Sequence, residues 1–268
     1  MPISQDYLLQ QKHFEQFVQA FLKDHEQPQQ KDIDSLISEI KTMEKYAVDG
    51  NRFYLLFDHS KFYPIYISSN WEEASGFSPE YVLNQGLFFF FNRIHWKQLM
   101  LPFKLNTWGP KFQAICGPQV SIKQNERWIG GIKFKDKWKN WRTGILKQKI
   151  LAATKKNKAL LSFVEVEEIT SIYKADFVWY RPTCWVNGKK ITRTYFSNGA
   201  KKEYPDILSA REIEILQLAA QKKSNHEIGE QLEISKNTVE RHRKNMIARV
   251  GVTDMTALMQ IAQMLKLI

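Results

Sequence analysis

The chain has 268 residues, of which 43% are hydrophobic and 13% aromatic, so it has enough apolar material for two or three domains with cores of their own. No run of about 18 apolar residues occurs, and we therefore expect no membrane span. The first residues lack the basic start and apolar stretch of a secretory signal. These features predict a cytoplasmic protein that is folded rather than disordered.

The formal net charge of +11 is unevenly distributed along the chain. Residues 123–204 contain 19 basic and 7 acidic residues, a net charge of +12, whereas residues 205–268 carry only +1. Such a basic block is suited to DNA backbone, an acidic partner or an anionic ligand, or it is the solvated face of a sheet. Its densest stretch contains Lys133, Lys135, Lys137 and Lys139.

The N-terminal segment, 1–49, has the apolar spacing of two helices. Residues 6–24 show the first pattern, and Pro28 interrupts it. Residues 33–43 show the second. These helices would pack either on the next domain or on a second subunit.

A mixed region of strands and helices follows. Residues 52–58 and 62–68 read as strands, and two short helices then begin at Asn70 and at Ser78. A longer helical pattern runs from 96 to about 115. Further strands are expected at 120–122, 127–134, 142–153 and 159–168.

Two cysteines, Cys116 and Cys184, occur in the chain. They can pair, but neither has a neighbour at CxxC spacing, and the composition favours two isolated buried thiols.

Asn187-Gly188 is a strong hairpin signal. It lies between two short strand patterns at 177–180 and 191–196. We therefore expect 175–205 to be a basic hairpin or an extended linker.

The last 60 or so residues divide into four short helical segments. Ser209 with Glu212, and Ser224 with Glu227, each form the pattern of a capping box. Ser235 begins a third helix after a three-residue turn, and Thr253 or Asp254 begins a fourth. Two helices joined by so short a turn are typical of a helix-turn-helix.

The third of these helices carries the residues that would read DNA. Arginine and lysine pair with phosphate or guanine, asparagine with adenine, and glutamate with cytosine N4. A solvated polar face is the alternative interpretation, but the caps, the short turn and the long polar helix together favour DNA. The candidate DNA-binding residues are Lys236, Asn237, Thr238, Glu240, Arg241, Arg243 and Lys244.

The fourth helix carries an apolar stripe that exceeds what its own small core needs. We therefore expect a homodimer that pairs through it. The candidate dimerisation residues are Ala257, Leu258, Ile261 and Leu265.

No catalytic signature is present: the chain has no phosphate-cradling glycine loop, no HExxH and no G-x-S-x-G. His95 and Cys116 lack the settings that a haem or a photoactive flavin requires. We therefore predict a protein that is not an enzyme and has no catalytic, metal or cofactor site.

The C-terminal 60 residues resemble the LuxR-type helix-turn-helix of bacterial transcription regulators. Three departures occur, at Gly229, at Glu240 and at Arg249-Val250. The resemblance implies that the positions of Glu240, Arg241 and Lys244 contact DNA and that the last helix pairs two subunits. The matching residues are Leu208, Ser209, Arg211, Glu212, Asn225, Glu227, Ile228, Ile234, Ser235, Thr238, Val239, His242, Asn245, Val250, Gly251, Val252 and Ala257.

Residues 50–174 resemble a PAS domain, a five-stranded antiparallel sheet with helices across one face. The resemblance rests on the order of the elements and on short matches at 65–68, Asn70, 76–78, 94–95 and 169–170. It implies a sensor for a small-molecule or protein signal.

These observations predict an α+β chain in which a PAS-like antiparallel sheet domain precedes an all-α four-helix LuxR-type module. The expected bounds are 1–49, 50–174, 175–205 and 206–268. The predicted function is that of a transcription regulator that binds double-stranded DNA, with no membrane partner. The alternative is a non-enzymatic interaction module whose basic middle region binds an acidic protein and whose helical tail only dimerises.

Overall fold

An antiparallel sheet occupies most of the middle of the chain. The computed structural model describes residues 28–44, 52–86, 89–90, 92–198 and 203–268. Within them the strands pair in the order β2-β1-β5-β4-β3-β6-β7, and β8 pairs with β6. The strands are β1 Arg52–Asp58, β2 Tyr63–Ile67, β3 Glu126–Lys135, β4 Trp141–Ala153, β5 Ala159–Glu168, β6 Trp179–Val186, β7 Lys189–Thr192 and β8 Tyr195–Phe196.

Both faces of this sheet are partly buried, because apolar side chains alternate along the central strands. In β1, Phe53 packs into one cluster with Val164 and Val166, whereas Tyr54 and Leu56 pack into another. We call the first face the inner face and the second the outer face.

Three helices cover the inner face: α2 Trp71–Ser75, α3 Pro79–Gln85 and α4 Leu101–Cys116. Gly76 ends α2 with a φ of 75°, and the Ser78 hydroxyl caps α3 ahead of Pro79, as the sequence predicts. In α4, Leu101, Leu105 and Trp108 recur at helical spacing and pack on β3 and β6.

The outer face is shared by two helical units. The helix α1, Gln30–Glu44, buries Ile33 and Ile40 against Tyr54, Leu56 and Leu161. The second of the two N-terminal helices therefore packs on the sheet of its own chain. The first, predicted over 6–24, lies outside the described residues.

The second unit on the outer face consists of the last four helices, α5 Ala210–Ala220, α6 Asn225–Gln231, α7 Lys236–Val250 and α8 Met255–Met264. Their core continues into the sheet, where it includes Trp128, Ile145 and Trp179. Trp179 is fully buried, and its indole nitrogen donates a hydrogen bond to the carbonyl of Val250 at 3.2 Å.

A short backbone bridge completes this contact. The carbonyl of Gly251 accepts hydrogen bonds from the backbone nitrogens of Lys174 at 2.9 Å and Ala175 at 3.1 Å. The nitrogen of Thr253 donates to the carbonyl of Ile172 at 3.0 Å. We call residues 172–175 the docking segment. It follows β5 in the chain and is hydrogen-bonded to residues just after the end of α7.

The segment that leads into the last four helices is also held by the sheet. Arg181, only 1% exposed, donates from two nitrogens to the carboxylate of Asp206, at 2.5 and 2.8 Å. Thr194 and Tyr204 exchange two backbone hydrogen bonds. The region 175–205 forms the predicted hairpin at Asn187-Gly188, but β6 extends the sheet beside β3. The domain bounds at 174 and 205 stay predictions.

Several details differ from the sequence prediction; the longer helix, for example, begins at Leu101 rather than near 96. Residues 120–122 form no strand; the Ser121 hydroxyl instead caps a single 3₁₀ turn at Ile122–Gln124. Cys116 and Cys184 form a disulfide bond rather than two isolated thiols. The reason is that the last residue of α4 lies against β6, a long-range contact that spacing along the chain does not show.

We expect Gly251→Ala to destabilise the protein by more than the backbone strain alone. Gly251 has a φ of 88°, and a Cβ there would lie 2.6 Å from the Cβ of Ala175 in the docking segment. Gly188 has a φ of 75° but nothing within 4 Å of such a Cβ. Gly188→Ala should therefore show only the left-handed penalty, about 1–2 kcal/mol.

The measurement is the free energy of unfolding of both variants in a denaturant titration. A greater loss for Gly251→Ala confirms that the docking segment is pressed against α7. Equal losses would show that the contact between Ala175 and residue 251 adjusts to the added methyl group without any further loss of stability.

Candidate nucleic-acid interface

Side-chain caps begin each of the four C-terminal helices. The Ser209 and Ser224 hydroxyls accept from the N3 backbone nitrogens, and Glu212 and Glu227 accept from the serine nitrogens at 2.8 and 2.7 Å. Both predicted capping boxes are therefore present. Ser235 caps α7, and Asp254 caps α8.

The turn between α6 and α7 is tight enough to require a glycine in α6. Glu233 has a φ of 55°, and the nitrogen of Ile234 donates to the carbonyl of Gly229 at 2.9 Å. A Cβ on Gly229 would lie 2.6 Å from the carbonyl oxygen of Ile234. Glycine costs about 1 kcal/mol of helix propensity relative to alanine, and here it allows the close approach that sets α7 against α6.

One face of α7 is buried and the other is open to solvent. Val239, Met246 and Val250 are at most 1% exposed and pack in the core of the four C-terminal helices. Lys236, Asn237, Arg241 and Lys244 are exposed on the other side, while Thr238, Glu240 and Arg243 are half-buried. The structure thus brings the seven predicted DNA-binding residues onto the first nine positions of one helix.

Asn225, at the start of α6, links two of these side chains. Its amide nitrogen donates to Glu240 Oε1 at 3.4 Å, and its amide oxygen accepts from Arg243 Nη1. Lys236 Nζ lies 3.9 Å from the same Glu240 oxygen. The structure therefore places Asn225 and Lys236 beside Glu240.

Asn225 contributes to this surface in a way that the sequence prediction missed. It appeared only as one of the residues that match the family pattern. No local pattern reveals its role, because it lies 15 and 18 residues from its two partners.

This arrangement can bind an anion and read bases. The N-terminus of α7 presents backbone N–H groups and the positive end of the helix dipole, which favour a phosphate. Exposed arginine and lysine on the next two turns can reach phosphate or guanine. The exposed side of α7 therefore combines groups that can contact phosphate with groups that can contact bases.

An ion pair behind α7 holds it against α5. Arg249 Nη1 donates to Glu212 Oε2 at 2.6 Å, and the carboxylate side chain is only 5% exposed. Burial opposes the charged form of Glu212, but the hydrogen bonds from Arg249 and Ser209 outweigh it and lower its pKa below the ordinary value. The carboxylate is therefore charged at neutral pH.

The four candidate dimerisation residues are buried in the core of their own chain. Their apolar stripe is therefore not a free surface for a second subunit, as the sequence prediction assumed. Ala257, Leu258, Ile261 and Leu265 are each 3% exposed or less and pack in the core shared with the sheet. The stripe exceeds what the four C-terminal helices need for a core of their own. The sequence does not show that the sheet also packs against these helices and uses the additional apolar side chains. The solvent-exposed side of α8 instead carries Thr256, Gln260 and Gln263.

The four lysines at 133, 135, 137 and 139 in the basic block differ in how accessible their ammonium groups are. Lys133 is paired with Asp176, and the Lys135 ammonium lies 5.1 Å from the ring centre of Trp141. Lys137 and Lys139 are exposed in the turn between β3 and β4. These last two are therefore the most accessible of the four to a phosphate backbone.

Comparison with known proteins identifies the C-terminal region. Residues 206–262 match the GerE description, "Bacterial regulatory proteins, luxR family". The chain is 39% identical over 77 residues to the transcriptional regulatory protein MctR of Rhizobium johnstonii and 41% identical over 71 residues to LiaR of Bacillus subtilis. Each alignment covers 26% of this chain, and 36% and 33% of those proteins, so the chain spans about a third of the curated relatives it matches.

A solved structure also aligns over most of the chain. The Vibrio cholerae VqmA dimer in the absence of target DNA covers 85% of this chain and 87% of its own, at 12% identity and a TM-score of 0.29. A score this low supports no argument about the sheet. Within the described residues, no helix is both long and apolar enough to cross a membrane.

We expect Glu212→Gln to flatten the acid limb of the stability profile. Because the folded pKa of Glu212 is lowered, its contribution is complete above the unfolded pKa of about 4.3 and is lost as pH falls through the folded pKa. The measurement is the free energy of unfolding between pH 6 and about pH 3 for wild type and variant.

Glu214→Gln is the matched control. Glu214 pairs with Arg211 on the surface, where both side chains are more than a third exposed, so its removal should leave the profile unchanged. Parallel profiles for wild type and Glu212→Gln would contradict the lowered pKa.

Proposed function

We propose that the chain is a sequence-specific DNA-binding transcription regulator and that α7 is its recognition helix. The observation that carries this is the division of α7 into an anchored end and a free end. Its C-terminal end, Val250-Gly251, is fixed to Trp179 and the docking segment, while Lys236, Asn237, Arg241 and Lys244, all within its first nine residues, are exposed. The helix is about 22 Å long, so the exposed residues near its start lie at a distance from the bonded end.

The sheet and its inner helices are proposed as a PAS-like sensor for a small-molecule or protein signal. Its support is the direct contact between the sheet and α7, through which a change in the sheet would reach the DNA-reading surface. We place the protein in the cytoplasm and assign it no catalytic step.

A salt titration of DNA binding tests the function. The operator is first selected from a randomised duplex library, and affinity is then measured by filter binding from low to physiological salt. A sequence-preferring signal whose affinity falls steeply with salt supports the proposal. Equal affinity for every duplex, or none at all, would instead favour the interaction module.

We expect Arg241→Ala and Lys244→Ala to weaken binding in different ways. Both side chains are exposed on the free face of α7. Arg241 should read a base, most simply guanine, so its loss should cost about 1–3 kcal/mol at one base pair of each half-site. Lys244 should contact phosphate, so its loss should weaken all sequences about equally.

The measurement is the affinity of each variant for the operator and for a set of single-base changes. Lys266→Ala, an exposed lysine near the C-terminus, is the control and should leave both properties unchanged. The assignment of Arg241 fails if its variant keeps the same base preference at every position.

We expect Glu240 to take part in base readout, by accepting a hydrogen bond from cytosine. Asn225 and Lys236 already hold one of its oxygens, which leaves the other for a base. Glu240→Gln and Glu240→Lys should therefore change the preference at one base pair in each half-site. A uniform rise in affinity without a change in preference would show that Glu240 only repels phosphate.

We also propose that two chains bind one roughly palindromic site, pairing through the exposed side of α8. Gln260→Glu with Gln263→Glu would place like charges on this face in both subunits. The double variant should bind with fewer than two chains per operator, measured by sedimentation of the complex, while its circular dichroism stays unchanged. Gln217→Glu on α5 is the control; an unchanged stoichiometry in the double variant would place the interface elsewhere.

A further inference from the structure

Arg127 is a half-buried cation without a counterion in the described part of the chain. It lies on β3 opposite Gln148 of β4 and Pro182 of β6, two residues from Ile129, whose side chain points to the inner face. No carboxylate or carbonyl among the described residues pairs with its guanidinium, and its Nε is buried without an acceptor. Gln148, its cross-strand neighbour, donates its amide to Ser162 instead.

Such a group is unusual in a folded interior. A guanidinium removed from water is normally paired, because its desolvation is otherwise uncompensated. Other arginines of this sheet follow that rule: Arg52 pairs with Glu165 and Glu167, and Arg181 with Asp206. Arg127 therefore lacks, among the described residues, the carboxylate partner that these two arginines have.

A stack of three aromatic rings lies beside Arg127 under α4. The Trp108 ring lies 6.1 Å from Tyr180 and 5.6 Å from Tyr195, and both pairs are within 14° of parallel. Tyr180 lies opposite Ile129 on the inner face, two residues along β3 from Arg127. Burial raises the pKa of Tyr180, and the Arg127 charge opposes that rise. The Tyr195 hydroxyl is also buried without a hydrogen-bond partner.

The helix that covers this region has a weak point at the stack. Gly109-Pro110 follows Trp108 within α4, and Pro110 has no N–H to donate to the carbonyl of Asn106 one turn earlier. The two ends of α4 are fixed by packing of Leu101 and by the disulfide at Cys116. A movement of the middle of α4 would therefore open the space beside Trp108 without releasing the helix.

We propose that the inner face beneath α4 binds a small organic acid, whose carboxylate pairs with Arg127 and accepts from the Tyr195 hydroxyl while its flat body packs against Trp108 and Tyr180. This rests on the proposed function, since it names the chemical class of signal that the sheet would sense. An aromatic or similarly flat acid fits the ring stack, and the arginine fork matches a carboxylate.

The test is thermal unfolding of the full chain with matched probes. Sodium benzoate, phenylacetate and acetate are compared with benzamide, phenylacetamide and inorganic phosphate, at constant ionic strength set with sodium chloride. At saturation, benzoate or phenylacetate should raise the melting temperature by roughly 5–10 °C, and the uncharged amides should not. A response to phosphate as large as that to the best carboxylate would overturn the assignment to an organic acid.

Two arginine variants make the test specific. Arg127→Met should melt at or above the temperature of the wild type without a probe, because it removes an unpaired charge, and it should lose the response to carboxylates. Arg52→Met, which breaks a paired arginine of the same sheet, should melt lower and keep the response. The proposal is overturned if no carboxylate probe gives a rise that depends on Arg127, or if Arg127→Met melts far below the wild type.

Operator binding separates this inference from the proposed function. Arg127→Met should bind the selected operator as the wild type does in the absence of a probe. Operator binding with no Arg127-dependent response to carboxylates would sink only the ligand. A carboxylate response without sequence-preferring DNA binding would sink only the transcriptional role.

Discussion

The contact between the end of α7 and the outer face of the sheet determines how the rest of the chain is arranged. Trp179 donates to Val250, and the docking segment bonds to Gly251 and Thr253. The carbonyls of Val250 and Gly251, at the C-terminus of α7, would otherwise lack partners, and Thr253 donates its N–H to Ile172. The C-terminal end of α7 is therefore held by the sheet and the docking segment rather than by a flexible tether.

The outer face explains why two helical units can share one sheet. Between the part covered by α1 and the part covered by the C-terminal helices runs a strip of charged residues. Arg52 pairs with Glu165 and Glu167, and Lys147 lies near Glu126 and over the ring of Trp128. These polar pairs remain partly exposed, so the strip separates the two apolar contacts, and each helical unit covers only its own part of the sheet.

The sequence predicted best what depends on neighbours along the chain. Both capping boxes, the Ser78-Pro79 start and the Asn187-Gly188 hairpin follow from residues a few positions apart, and the structure contains all of them. The strands β1 to β5, which are rich in aromatic and aliphatic residues, were predicted to within one residue of their bounds.

What the sequence could not show depends on contacts between distant residues. The Cys116–Cys184 bond and the role of Asn225 both require that separate elements already lie together. The burial of Ile261 and Leu265 is a further example. An apolar stripe on a short helix looks the same whether it meets a second subunit or the core of its own chain, and only the packed sheet decides between them.

The way the C-terminal helices are attached has a consequence for fragments of this protein. A cut at the apparent boundary near Pro205 would remove Asp206 from Arg181 and separate Val250 from Trp179. It would also uncover Ile207, Leu208 and Val252, each of which is at most 2% exposed in the whole chain. The excised C-terminal helices would thus expose an apolar patch that favours aggregation. In the remaining sheet, Arg181 would stay buried without its carboxylate partner. Exchange of these four helices with those of another protein would need the docking segment and β6 to be transferred with them.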